Sequence, residues 1–195
     1  MKFSSQQLIN ALMRSEYQLF TGEMNINLIG VRSKDINSNS FNDVFCVLYQ
    51  RGGKWQLEQF ECTTDPGTYY RENPINIDGT AIVVPGQYRG LWKFGKHRGQ
   101  YRALVQNNAV TVYRDNNHDN RIDVHNNSNL ASGFFGINCH RANARISSKR
   151  VDKWSAGCQV VANPNDFERL LSLCDESALR YGPTFTYTLL REQDI

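Results

Sequence analysis

The chain has 195 residues, of which 40% are apolar and 21% are charged, so it can bury the core of a folded domain and does not have the composition of a disordered chain. Its 22 Lys and Arg exceed its 19 Asp and Glu by too little to indicate a nucleic-acid-binding protein. No apolar run approaches the ~20 residues of a membrane span. Five Cys, scattered without CxxC spacing, argue against a disulfide framework or a zinc knuckle.

An N-terminal helix is predicted within residues 1–22. Ser4 and Gln7 have the spacing of a capping box, apolar residues then repeat at helical intervals, and Gly22 ends the helix. The helix is expected to pack on the domain, because its opposite face is not basic as a membrane-surface helix would be. The segment lacks an unbroken apolar stretch and therefore does not read as a signal peptide.

Alternating apolar residues after Gly22 predict a series of strands and turns. Arg51-Gly52-Gly53 is a hairpin signal, and Asn163-Pro164 begins a helix that Tyr181-Gly182-Pro183 ends. The predicted strands are residues 25–32, 43–50, 54–62, several short strands within 90–114, 134–140 and 184–190. With no linker or repeat, residues 1–195 are predicted to form one domain that is mostly β (α+β).

Cys158 and His140 form the candidate catalytic pair. Small residues in Ser155-Ala156-Gly157 allow a tight turn before the thiol, which is the geometry that an oxyanion hole requires. A thiol also needs a base, and His140 follows an apolar strand that would fix its direction. The alternative from the residues alone is a small buried Cys and a merely hydrogen-bonded His.

The same segment resembles a known family. His140 lies 18 residues before Cys158, and Ser-Ala-Gly-Cys is similar to the Ser/Thr-His-Gly-Cys segment of the L,D-transpeptidase (YkuD-type) catalytic domain. Upstream, residues 64–69 resemble the Thr-Pro-x-Gly-x-Phe/Tyr turn of that family, with residues 84–88 as a competing match. The resemblance covers residues 43–162 and implies a single β-sandwich catalytic domain, flanked by the helix of 1–22 and by a helix and strand in 163–195.

The resemblance also implies residue roles. Cys158 matches the nucleophile and His140 the general base, and the backbone carbonyl of Arg141 would orient the imidazole. Ser155 and Gly157 match the frame of the nucleophile turn, with the N–H groups of Gly157 and Cys158 as the oxyanion hole. The reaction implied is cysteine-dependent acyl transfer on peptidoglycan stem peptides, either to water (carboxypeptidase or endopeptidase) or to an amine (transpeptidase), without a required cofactor.

The chain departs from the family pattern around the nucleophile. Ala156 stands where the family has its second His, Arg141 where it has Gly, and Gln159 stands in for the Asn or Arg that usually follows the Cys. Arg145 and Arg150, in a loop that also holds Lys149, would bind stem-peptide carboxylates, unless they are simply solvated. Trp154 is expected to be a packing anchor or a substrate platform.

An Asp- and Asn-rich segment has the alternate spacing of a calcium loop. Its oxygen ligands would come from Asp115, Asn117, Asp119 and Asp123. Asn120 replaces the usual Gly and Asn126 the usual bidentate Glu, so a turn without metal is favoured over a structural calcium ion.

Three other functions fit parts of the sequence: a papain-like or NlpC-like cysteine amidase, an HNH-type nuclease and a catalytically inactive wall-binding module. The amidases are ranked lower because their Cys usually precedes its His in the chain. The nuclease is ranked lower because no metal-ligand spacing surrounds His140. Peptidoglycan implies action in the periplasm or cell wall, yet no signal peptide is visible. The expectation is therefore a secretion-system effector, with an immunity protein as its partner, or a phage-type lytic protein.

Overall fold

The computed structural model describes residues 1–35, 39–119, 121–122, 124 and 129–195. Most regular structure in these ranges is β. The helices are α1 (Ser5–Arg14), α2 (Thr68–Glu72) and α3 (Pro164–Tyr181), with a 3-10 helix at Glu192–Asp194. The strands are β1 (Asn27–Arg32), β2 (Asp43–Arg51), β3 (Lys54–Thr63), β4 (Thr80–Val83), β5 (Gly86–His97), β6 (Tyr101–Gln106), β7 (Val110–Asp115), β8 (Leu130–Gly133), β9 (Cys139–Arg141), β10 (Gln159–Val161) and β11 (Thr184–Arg191).

The strands form two sheets. Eight of them close into a barrel in the order β1-β11-β5-β6-β9-β10-β3-β2, while β4, β7 and β8 form a separate three-stranded sheet. Pairing is parallel between β1 and β11 and between β9 and β10, and antiparallel elsewhere. The prediction of a mostly β fold with helices near both ends is confirmed, whereas the β-sandwich is not, because the larger sheet closes on itself. None of the helices in the described ranges has the length and apolar character needed to cross a membrane.

The N-terminal helix begins as predicted but is shorter. Ser4 is its N-cap, and the capping box with Gln7 is present. The predicted end at Gly22 is wrong: α1 ends at Arg14. The chain beyond it is held in another conformation, because the Asn27 side chain accepts from the Phe20 N–H and donates to the Phe20 carbonyl.

Local turn and cap signals place several other elements correctly. The β2–β3 hairpin turns at Gly52 and Gly53, both of which have the positive φ that favours glycine in a two-residue turn. Helix α3 starts at Asn163 and Pro164, as predicted, and ends before Gly182.

The predicted strand at 134–140 is largely wrong, because only Cys139–Arg141 pairs as β9. The preceding segment is held instead by a side chain: the amide oxygen of Gln106 accepts from the Phe135 and Ile137 N–H groups. Strands β4 and β8 and helix α2 lack a strong sequence signal and were not predicted.

Aromatic rings pack in the core of the barrel. Phe45, Trp92 and Tyr187 are fully buried, with the Trp92 and Tyr187 ring centroids 4.4 Å apart. The Tyr187 hydroxyl donates to the Gln159 side-chain oxygen at 2.6 Å, and Trp92 Nε1–H donates to the Ile137 carbonyl at 2.8 Å. The aromatic cluster therefore bonds directly to the segments that precede β9 and begin β10.

Removing the Tyr187 hydroxyl should destabilise the fold, because it leaves the buried Gln159 oxygen without its donor. We expect Tyr187→Phe to lower the free energy of unfolding by about 1–3 kcal/mol in urea titrations. Tyr181→Phe makes the same chemical change at an exposed ring whose hydroxyl donates to Glu23, and it should cost less than about 0.5 kcal/mol. Equal losses in the two variants would contradict the assigned importance of the buried bond.

Candidate functional site

Parallel pairing of two short strands brings the predicted nucleophile and base together. In the register of β9 and β10, Val160 is the partner of His140 and Gln159 is the partner of Cys139. Cys158 directly precedes β10 and therefore lies at the edge where β9 begins, close to His140 in the middle of β9. Of the five Cys, Cys158 is the one that is only partly buried; the other four are buried.

Three side chains converge at this edge: the thiol of Cys158 and the imidazoles of His140 and His97. The Cys158 sulphur and one ring nitrogen from each His lie within 4.8 Å of one another. His97 was not among the predicted site residues. It ends β5 opposite Tyr101 of β6, so the hairpin that joins these strands delivers both rings to His140.

The hydrogen bonds of His140 fix its tautomer. Nδ1 lies 2.8 Å from the Arg141 carbonyl, which can only accept, so the proton is on Nδ1. The Tyr101 hydroxyl donates to the same carbonyl at 3.1 Å and lies 3.1 Å from Nδ1. His140 Nε2 is buried without a hydrogen-bond partner among the described residues, and its lone pair is free to accept a proton.

His97 is held in the opposite tautomer. The Asn138 side-chain oxygen accepts from the Gln106 N–H at 2.9 Å, so its NH₂ group is the one that faces His97 Nδ1, 3.2 Å away. This bond occupies the Nδ1 lone pair and leaves the His97 proton on Nε2. Of the two imidazoles beside Cys158, His140 is therefore the one with a lone pair available for general-base chemistry.

The same cluster contains the ligand types of a zinc site, since two imidazoles and one thiolate can bind Zn²⁺. The ring geometry is poorly suited to this use. The His97 and His140 rings are stacked, with centroids 3.8 Å apart and planes 25° from parallel, so their in-plane lone pairs do not converge on one point. Asn138 also occupies one of those lone pairs. The arrangement favours acid–base chemistry over metal binding.

The turn before Cys158 is tightly constrained. The Ser155 hydroxyl donates to the Cys158 carbonyl at 2.8 Å and accepts from the Gly157 N–H at 3.1 Å. Gly157 has a φ of +122°, and a Cβ there would lie 2.4 Å from the Ala81 carbonyl oxygen, so only glycine fits. Because its N–H already donates to Ser155, Gly157 is not a free donor for the predicted oxyanion hole.

Both members of the pair are neutral at rest. Burial raises the pKa of the Cys158 thiol, although the Asn138 backbone N–H and the charge of Arg98 oppose this shift. Burial, followed by the neighbouring His97, lowers the pKa of His140 to about 3. The resting site is thus a thiol beside a free imidazole and not a thiolate–imidazolium pair.

The predicted substrate-binding residues separate into two groups. Gln159 is fully buried and its amide bonds to Tyr187 and to the Gly157 carbonyl, so it supports the fold and has no face for a substrate. Arg145 and Arg150 are exposed on the loop between β9 and β10, and Arg150 lies 3.6 Å from Asp152. Trp154 is 40% exposed beside the nucleophile turn and remains available to a ligand.

The predicted calcium loop is described only in part, because Asp123, Asn120 and Asn126 lie outside the described residues. Asp115 is buried at the end of β7. The side-chain oxygens of Asn117 and Asp119 accept from backbone N–H groups two residues ahead, as in Asx turns. This supports the turn that the sequence favoured, and calcium binding stays a prediction.

The neutral state of the site predicts the pH dependence of alkylation. We expect the rate at which iodoacetamide modifies Cys158 to rise about tenfold per pH unit between pH 6 and 8.5, because only the thiolate reacts and the thiol pKa is raised. Peptide mass spectrometry of the labelled protein would measure it. The buried Cys46 and Cys174 serve as internal controls and should stay unmodified while the protein is folded. A rate that is flat from pH 5.5 to 8 would instead reveal a preformed ion pair.

Comparison with known proteins does not assign a family. No family model matches the chain, and no solved structure matches it. An F-box/kelch-repeat protein of Arabidopsis thaliana is 24% identical over 90 residues, which are 46% of this chain. The match spans 23% of that protein, and it neither supports nor contradicts the resemblance to L,D-transpeptidases.

Proposed function

We propose that the protein catalyses cysteine-dependent acyl transfer on peptidoglycan stem peptides, as an L,D-transpeptidase-like enzyme that acts in the periplasm or cell wall. The observation that carries the proposal is the pairing of Cys158 with His140, whose free Nε2 and carbonyl-anchored Nδ1 are the arrangement that a thiol's general base requires. The Ser-Ala-Gly-Cys signature supplies the substrate class, and the mostly β fold is compatible with it.

The proposed reaction has two steps. His140 Nε2 takes the thiol proton while the Cys158 sulphur attacks an amide carbonyl carbon of the stem peptide. The carbon–nitrogen bond then breaks, the amine leaves with the proton from His140, and a thioester remains. Water or a second amine attacks this thioester and releases Cys158. The oxyanion is assigned to the Cys158 N–H, since the Gly157 N–H donates to Ser155.

A pocket beside the nucleophile turn is the proposed site for the acyl donor. It has a volume of about 320 Å³ and includes Ala156, two residues before Cys158, and Phe135, the neighbour of Gly136. The Gly136 carbonyl in turn contacts the Cys158 sulphur at 3.3 Å. Ala156 thus lines this pocket at the position where the family pattern has its second His.

The lining of this pocket suits an anionic, partly apolar ligand. Arg114 is the one charged residue in the described lining, and its guanidinium lies 4.6 Å from the Phe135 ring centroid. One of its nitrogens donates to the Gly79 carbonyl, which leaves further N–H groups for a carboxylate. Ile75 and Phe134 are exposed apolar side chains at the same pocket. Stem peptides carry both carboxylates and short alkyl groups.

One set of observations favours a second function, a catalytically inactive wall-binding module. The resting pair is neutral, and the Gly157 N–H is already bonded within the turn. A binding module would use the same pocket and would make no thioester.

Mass spectrometry of muropeptides separates these functions. We expect the wild-type protein to remove a terminal residue, cleave a cross-link or exchange a terminal amino acid. Cys158→Ala should abolish that product and His140→Gln should slow it at least ~100-fold, because the nucleophile and its base are lost. His118→Gln is the matched control, since that ring is exposed and bonds to the Glu72 carbonyl, and it should leave the rate unchanged. Binding without any product would establish the module instead.

The charge in the pocket gives a separate prediction. Arg114→Met should raise the KM for a stem peptide with free carboxylates about tenfold, a loss of ~1.4 kcal/mol, and should hardly affect the amidated peptide. Arg145→Met is the control for the exposed loop. If Arg145→Met has the larger effect, the loop and not the pocket binds the carboxylate. For an inactive protein, calorimetric titration of the same peptide pair gives the same comparison.

A further inference from the structure

The side chain of His97 packs directly on the ring of the proposed base. Its ring is stacked on His140 with centroids 3.8 Å apart, and it is 8% exposed while His140 is 2% exposed. Since one face of the His140 ring is covered by His97, solvent reaches the base poorly from that side. Tyr101 contacts the ring from its edge, at an interplanar angle of 69°.

The hydrogen bonds around His97 keep it in one state. Asn138 donates to Nδ1, and the amide is itself oriented by the Gln106 N–H. A proton could be added to His97 only at Nδ1, where it would meet the Asn138 NH₂ group. Burial, followed by the charge of Arg98, lowers the pKa of His97 to about 4, so the ring is neutral near pH 7.

The charged and titratable groups around His140 come from β5, β6, β9 and the turns that adjoin them. They are His97 of β5, Arg98 of the following turn, Tyr101 of β6, Arg141 of β9 and Cys158 before β10. No carboxylate is among these groups in the described part of the chain. The positive groups oppose a proton on His140, and a protonated His97 would add a further positive charge.

We propose that His97 is a positioning residue of the Cys158 site: held in one tautomer by Asn138, it covers the His140 ring and keeps that base dry and unprotonated. The base then retains its free Nε2 in acidic as well as neutral solution, so that the thiol always faces an acceptor. This role extends the acyl-transfer function proposed above, although the tests below need no peptidoglycan.

Titration of His140 in wild type, His97→Ala and His97→Phe tests the proposal. Nuclear magnetic resonance of the labelled imidazoles should show wild-type His140 neutral down to pH 4.5. In His97→Ala the ring is uncovered, and its titration should shift upward by at least one pH unit, towards the ordinary histidine value near 6.5. His97→Phe retains an aromatic cover and should restore the low value. The melting temperature of each variant checks that it is folded.

The same spectra give a result that needs no variant. The nitrogen shifts of the wild-type protein should show the proton on Nδ1 of His140 and on Nε2 of His97. The reverse assignment, or wild-type His140 that titrates near pH 6.5, would overturn the proposal. So would equal His140 titration in wild type and folded His97→Ala.

A second readout links the ring to the thiol. In wild type, a plot of the logarithm of the Cys158 alkylation rate against pH should show no inflection between pH 5 and 8. His97→Ala should introduce one near the new His140 value, and His97→Phe should not. This assay uses iodoacetamide in place of a peptide substrate. If His97→Ala shows no inflection, only the proposed role of His97 is contradicted. If muropeptide products are missing, the proposed acyl transfer is contradicted.

Discussion

The parallel pairing of β9 and β10 is the constraint on which the site depends. Parallel strands start at the same edge of a sheet, so Cys158, which directly precedes β10, lies beside the start of β9 and near His140, although 17 residues separate the two in the chain. The next strand in the sheet, β6, pairs with β9 through Leu104 and Cys139 and contributes Tyr101, whose hydroxyl donates to the Arg141 carbonyl at the other end of β9. The register of three paired strands therefore brings together the proposed base, the proposed nucleophile and the tyrosine ring that contacts the base.

Burial fixes the geometry of this site and also disfavours the ionisation of His140 and Cys158. The Arg141 carbonyl, the Asn138 amide and the Tyr101 hydroxyl can set tautomers because little water competes for their bonds. The same exclusion of water disfavours a charged His140 and a charged Cys158. In the proposed acyl transfer, the bond that the sulphur forms to the substrate would supply the driving force for moving the thiol proton to the imidazole.

The sequence predicts the parts of this fold that are encoded by neighbouring residues. The caps at Ser4 and Asn163 and the turn at residues 52–53 need only a few adjacent side chains, and the structure confirms them. The conformation of residues 134–138 depends on a glutamine in another strand, so an apolar run alone misassigned it. His97 was missed for the same reason, since its relation to His140 exists only after β5, β6 and β9 are paired.

The contact at Gly157 has a consequence for how the protein can change over time. The atom that excludes a Cβ there is the backbone oxygen of Ala81, on the edge of the second sheet. A side-chain replacement at position 81 cannot create room, because every amino acid carries the same oxygen. The nucleophile turn and the smaller sheet must therefore shift together or not at all, and no single compensating mutation at their interface can restore a chain that has lost this glycine.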